Sequence, residues 1–121
     1  MTGKYSRLAQ AEGTKYCLTN EVVTPSPKNE SDSPTLQKGW NIMSGGQYFH
    51  YCDNEASSGF EFKEFPFDKV PNDQVLVADM SSSITTKHIE WSRYGVVYAG
   101  AQKQIGCEHL YFTAVRNDLI G

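Results

Sequence analysis

Two short apolar runs, Val75-Leu76-Val77-Ala78 and Val96-Val97-Tyr98-Ala99, constrain this chain more than any other feature. Neither alternates apolar with polar residues, and a run of this length bounded by turn formers is the pattern of a strand covered on both faces. Such strands belong to parallel sheets flanked by helices, where sites gather at the carboxyl ends of the strands. The first run ends at Asp79, and the second leads into Gly100-Ala101-Gln102-Lys103-Gln104-Ile105-Gly106.

Other segments fill in around this pair. Tyr5 to about Tyr16 has good helix formers, with Leu8, Ala9 and Ala11 as an apolar stripe and Gly13 weakening its end. Cys17 to Val23 reads as a strand closed by Thr24-Pro25-Ser26-Pro27. Residues 24 to 40 read as an exposed loop, because Lys28 to Lys38 is rich in Ser, Asn, Asp, Glu and Pro. Gln47 to Cys52 is an aromatic-rich strand, and Phe60 to Phe65 alternates as a half-buried one would. A short helix is expected around Glu90 to Arg93, a strand from Leu110 to Val115, and a helix start at Asn117-Asp118-Leu119. The expected fold class is therefore α/β, with a mainly parallel mixed sheet and flanking helices.

With 121 residues, 39% of them hydrophobic, the chain can form one small domain with a modest core. A net charge of -3 gives no electrostatic footprint for nucleic acid or for an anionic membrane, so neither partner is expected. No charged-then-apolar leader opens the sequence, and no apolar run approaches the ~20 residues of a membrane helix. A cytoplasmic location is expected. Cys17, Cys52 and Cys107 are odd in number and widely spaced, which fits reduced, structural thiols better than a disulfide framework. His50, His88 and His109 lack metal-ligand spacing and read as structural or surface residues, and no metal is expected. Met80, Trp40 and Trp91 are expected in the core.

Lys103 follows a buried strand inside a glycine-flanked turn, and Asp79 ends a neighbouring strand. Taken alone, such a lysine is a solvated surface charge and such an aspartate caps the Ser81-Ser82 turn. Together they have the form of a pyridoxal phosphate site, in which the amine forms the Schiff base and the carboxylate keeps the ring nitrogen protonated.

Three stretches carry a more specific likeness. They are Val77-Ala78-Asp79-Met80-Ser81-Ser82, then Ser92 to Lys103, then Val115-Arg116-Asn117-Asp118-Leu119-Ile120-Gly121, with Tyr51-Cys52-Asp53-Asn54-Glu55 upstream. Here the chain closely resembles phosphoserine aminotransferase, a class V aminotransferase and fold-type I pyridoxal-phosphate enzyme. The likeness runs nearly end to end but covers only about a third of a family subunit. Residues 1–121 are therefore expected to form a single partial cofactor-binding (large) domain.

The resemblance implies roles for particular residues. Lys103 would form the Schiff base and, once free, shuttle the proton between the substrate Cα and the cofactor. Such work needs an unprotonated amine, so burial or a nearby positive charge should lower its pKa. Asp79 would pair with the pyridinium nitrogen, and Gln102 would contact the cofactor phosphate. Tyr5 falls where the family usually has a tryptophan stacked on the ring; the other reading is a residue packed on the helix it precedes.

Departures from the pattern cluster at this site. Ala56 stands where the family has a threonine bonded to the cofactor's phenolic oxygen, so one bond worth about 1.5–3 kcal/mol would be missing. Gln104 replaces the usual Asn, and Cys107-Glu108-His109 replaces Pro-Ala-Gly. If that glycine served a positive φ, His109 would be strained. The implied reaction is the reversible transfer of an amino group from glutamate to 3-phosphohydroxypyruvate, on the pathway to serine. The expected partners are small amino-acid and keto-acid substrates and a second subunit, as a homodimer or with a full-length chain. The alternative is a non-catalytic truncated subunit. Activity of the isolated chain is not expected.

Overall fold

The computed structural model describes residues 1–23, 39–102 and 105–121. Helix α1 spans Lys4–Gly13, and the strands are β1 (Tyr48–Cys52), β2 (Asn54–Glu55), β3 (Phe60–Glu61), β4 (Val75–Asp79), β5 (Val96–Gly100) and β6 (Tyr111–Val115). Single 3₁₀ turns occupy Phe67–Lys69, Trp91–Arg93 and Asn117–Leu119. The main sheet has the order β1-β4-β5-β6, and β2 and β3 form a small ribbon. β1, β4 and β5 are parallel, with Cys52 opposite Asp79 and Asp79 opposite Tyr98, whereas β6 returns antiparallel to β5. The expectation of a mainly parallel mixed sheet is met, and of the expected flanking helices the described residues hold one α-helix, α1, the segments at Trp91–Arg93 and Asn117–Leu119 being single 3₁₀ turns.

Period-two alternation explains which side chains make the core. Phe49, Tyr51, Leu76, Ala78 and Val97 point to one face, where they pack with Phe62, Phe65, Met80, Ile89 and Tyr94. Aromatic rings dominate this layer: Tyr51 stacks on Phe65 with centroids 3.9 Å apart, and Trp40 stacks on Phe49 at 5.7 Å. The Tyr51 and Tyr94 hydroxyls bond each other at 2.8 Å, which satisfies the polar tips of two buried rings. Buried Asp53 is matched by Ser83 Oγ, donating at 2.5 Å, and by Lys87 Nζ at 2.9 Å. Among the described residues no buried side-chain polar atom lacks a partner.

Gly95 is dictated by close approach. A Cβ there would lie 2.2 Å from Val75 Cγ1, while its own amide and carbonyl bond Leu76 O and Arg116 N. Any side chain would push β5 away from β4.

Several expectations need correction. Cys17 to Val23 forms no strand, although Asn41 N–H bonds Val22 O. A strand requires a ladder, and no described strand lies beside this segment to supply one. Of Phe60 to Phe65 only Phe60–Glu61 pairs, and beyond it Phe62 and Phe65 turn into the core. β4 and β5 are fully covered on one face only; Val75, Val77, Val96 and Tyr98 on the other are half-buried. Trp91 is half exposed, with its ring edge on Phe112, and so lies outside the core, whereas Met80 is fully buried. Cys17 and Cys107 are exposed, which leaves Cys52 as the buried thiol of the three. Of the loop expected over residues 24–40, positions 24–38 lie outside the described residues. Trp40, at its end, is partly buried and packs against the core, as expected of it.

Candidate active site

The carboxyl ends of β1, β4 and β5 lie side by side and are tied together by backbone bonds. Asp53 N–H donates to Asp79 O at 2.9 Å, and Met80 N–H donates to Tyr98 O at 2.9 Å. Asp79 is the last residue of β4 and half-buried. Its Oδ1 accepts from the Ser81 amide at 3.0 Å and from the Ser81 hydroxyl at 2.6 Å. The same hydroxyl accepts from Gly100 N–H at 3.1 Å. Ser81 thereby fixes the Asp79 carboxylate and couples it to the end of β5. This Asx-type turn is the reading that regarded Asp79 as a turn cap, and it also aims the carboxylate along the sheet's open face.

Cys52, Asp79 and Tyr98 share that face, and His50 joins it two residues before Cys52. His50 Nε2 and Tyr98 Oη are 2.9 Å apart, with the two rings nearly parallel. Burial lowers the His50 pKa, and the charge of Asp79 opposes this only in part, so the ring is neutral near pH 7. Burial, reinforced by the negative charge of Asp79, pushes the Tyr98 phenol up. The same two causes in the same order raise the Cys52 thiol, which is 1% exposed and stays an un-ionised packing group.

Glu55 organises the neighbouring corner. Its fully buried carboxylate accepts from Tyr5 N–H at 2.9 Å and from Ser6 N–H at 2.7 Å, with Thr2 Oγ1 at 3.3 Å. A negative charge at the first turn of a helix satisfies free amides and complements the helix dipole. It also places the start of α1 against the turn that follows β2. Tyr5 and Ala56 are brought to this one corner, and both are exposed. Tyr5 lies within α1 and does not precede it. Ser82 Oγ donates to Asn54 O at 3.2 Å and links the corner to the turn after Asp79.

Gln102 is exposed, two residues beyond the end of β5 and next to buried Ala101. Lys103 and Gln104 lie outside the described residues. His109 has φ 71, the only positive φ among the described non-glycine residues. His88 and His109 are exposed, and no His/Cys/Asp/Glu cluster able to hold a metal occurs among the described residues. Of the predicted site residues, Asp79 ends β4 and Gln102 lies just beyond the end of adjacent β5, and Tyr5 and Ala56 share the neighbouring corner. The sequence reading named the Ser81-Ser82 turn that Asp79 caps but missed Glu55 and the pair His50 and Tyr98. The Asp-x-Ser spacing signals the Ser81 contact, whereas the Glu55 contact joins residues 50 apart and leaves no local signal.

No family model matches the chain. It is 45% identical over 121 residues to a phosphoserine aminotransferase of Vesicomyosocius okutanii, covering 99% of this chain and 32% of that protein. It is 38% identical to phosphoserine aminotransferase 2, chloroplastic, of Arabidopsis thaliana, covering 100% of this chain and 28% of that protein. The structure of phosphoserine aminotransferase from Bacillus circulans subsp. alkalophilus superposes with a TM-score of 0.88 at 32% identity, over 99% of this chain and 32% of that one. A pyridoxal-phosphate-bound phosphoserine aminotransferase from Trichomonas vaginalis superposes with a TM-score of 0.77 at 30% identity, over 97% and 32%. The resemblance seen in the motifs thus extends to sequence and fold. The chain is homologous, over essentially its whole length, to a segment about a third as long as the phosphoserine aminotransferases it matches.

Proposed function

We propose that this chain carries the cofactor-anchoring part of a pyridoxal-phosphate-dependent transaminase. In a complete assembly it would interconvert O-phosphoserine and 2-oxoglutarate with 3-phosphohydroxypyruvate and glutamate. The observation that supports this best is Asp79, a carboxylate held through Oδ1 by two Ser81 donors at the carboxyl end of a parallel strand. A fixed anion on the open face of a sheet fits a protonated ring nitrogen. When bound, pyridoxal phosphate supplies an electron sink for the carbon that bears the amino group.

The chain's own residues would divide the remaining work. Asp79 holds a proton on the ring nitrogen, and its bonds to Ser81 remove the need to reorient during the reaction. Lys103 would hold the cofactor and move the proton at Cα. Gln102 would donate to its phosphate, and Tyr5 would offer an aromatic face to its ring. Ala56 offers no hydroxyl to the ring's phenolic oxygen. No described helix is long and apolar enough to cross a membrane. A cytoplasmic location and a homodimer form part of the proposal.

The test is to place these 121 residues in the Bacillus circulans enzyme in exchange for the matched third, and to follow amino transfer between O-phosphoserine and 2-oxoglutarate. The hybrid should turn over, lose activity with Lys103→Ala, and gain about tenfold or more with Ala56→Thr, as one recovered charge-assisted bond implies. Turnover no faster than that of the Lys103→Ala hybrid would reject the reading.

A second reading follows from how the far edge of the sheet is covered. Tyr111 is 80% exposed and Ile120 65%, with Phe112, Val115 and Leu119 also open on β6 and the turn after it. So much bare apolar surface suits a non-catalytic subunit that docks on a full-length aminotransferase. Co-purification with such an enzyme, without a gain in its activity, would favour that reading.

A further inference from the structure

Asp53, the residue after β1, grips the turn that carries Ser81 at both of its ends. Its amide donates to Asp79 O at 2.9 Å, where the turn begins. Its carboxylate takes the far end: Oδ2 accepts from Ser83 Oγ at 2.5 Å, and Lys87 Nζ lies 2.9 Å from Oδ1 and 2.7 Å from Oδ2. Between these grips residues 80–87 form neither helix nor strand, and Ser83 N–H and Ile84 N–H both donate to Met80 O. Lys87 is tied further by a bond to Phe62 O at 2.6 Å, with Glu61 Oε1 3.7 Å away.

Asp53 is 1% exposed and Ser83 is fully buried. Taking a carboxylate and an ammonium out of water offsets most of their attraction, and apolar side chains of similar size often stabilise such a position as well. Stability is therefore a poor account of this pair, whereas geometry is a good one, because charge-assisted bonds are short and directional. Ser81 stands two residues before Ser83 in the same turn, and its hydroxyl and amide hold Asp79 Oδ1 at 2.6 and 3.0 Å. Any slack in the turn reaches the Asp79 carboxylate through those two donors.

We propose that Asp53, through Ser83 and Lys87, is a positioning residue for the Asp79 carboxylate, acting by way of the turn that carries Ser81. The proposal rests on the reading of Asp79 as the carboxylate that faces the ring nitrogen, and it deepens that reading. The buried pair keeps the turn in one arrangement, so the Ser81 donors stay aimed at Oδ1. The carboxylate then meets a protonated ring nitrogen without reorganising.

The experiment compares the parent with Asp53→Asn/Lys87→Met, which removes both charges at once and leaves neither buried alone, and with Ser83→Ala, which removes one donor. Hydrogen exchange follows the Ser81 amide against that of Val97 at the centre of the sheet, and circular dichroism follows melting. The visible absorbance of the hybrid enzyme gives its affinity for pyridoxal phosphate. In both variants the Ser81 amide should exchange at least about tenfold faster relative to Val97, and the cofactor should bind about tenfold more weakly. The double variant should melt within a few degrees of the parent. A lower melting temperature with both amides speeding equally would mark a structural ion pair only and overturn the proposal. So would unchanged exchange at Ser81, faster exchange there with unchanged cofactor affinity, or failure of both variants to fold. A parent hybrid that binds no pyridoxal phosphate would instead sink the reading of Asp79 itself, and the proposal with it.

Discussion

His109 sits at φ 71 in the stretch where the family has Pro-Ala-Gly, so a side chain occupies a backbone conformation that favours glycine. His109→Gly should stabilise the chain by about 0.5–1 kcal/mol, the relieved strain less the added freedom of the unfolded glycine, as read from urea midpoints at constant slope. An unchanged or lower midpoint would show that the turn has relaxed around histidine. Asp79 shows how far a single residue can be read from sequence. Its place at a strand end followed from the apolar run before it, and its contact with Ser81 from the two-residue spacing. The role proposed for Lys103, by contrast, rests on its glycine-flanked setting and the family likeness.

At the scale of elements, α1 is held by a residue far from it in sequence. Glu55 takes two amides of its first turn, at 2.9 and 2.7 Å, so Glu55→Ala should cost about 2–3 kcal/mol. The loss should appear in far-ultraviolet circular dichroism as early melting of helix, ahead of the sheet. A cost below about 0.5 kcal/mol would mean that water caps the helix equally well. β1 carries a pH dependence. The folded His50 pKa lies below its ordinary value near 6.5, because burial disfavours the imidazolium. The unfolded chain therefore binds that proton first. The stability from keeping His50 neutral is complete above about pH 6.5 and is lost as pH falls toward the folded pKa. Thermal melts at pH 7.5 and 5.5 should differ more for the parent than for His50→Gln, and equal differences would remove His50 as the cause. The strand expected over Cys17 to Val23 failed for a reason that also belongs to this scale. Its residues favour extension, but a ladder needs a neighbour, and propensity cannot say whether one is present.

For the molecule as a whole, the strands of the main sheet were legible in patterning, though not their order: two apolar runs and the aromatic-rich segment ending at Cys52 gave the parallel strands, and Leu110 to Val115 gave the returning one. What patterning could not supply is coverage. β4 and β5 read as buried on both faces, yet one face is half open here, as is the outer side of β6. A sequence shaped by packing in a larger body keeps the pattern of that body, and the homologues are about three times as long. Trp91 and Leu119, expected core and helix start, are exposed on the side that lacks a cover. The central claim is that the chain holds a cofactor-anchoring site built around Lys103 and Asp79. Its most direct test is to mix the purified chain with pyridoxal phosphate, reduce with borohydride, and map the label by peptide mass spectrometry. The label should fall on Lys103 well above the other lysines, and the Lys103→Ala variant should retain only the uniform background. Labelling spread evenly over the surface lysines, with the parent and the variant alike, would contradict the claim.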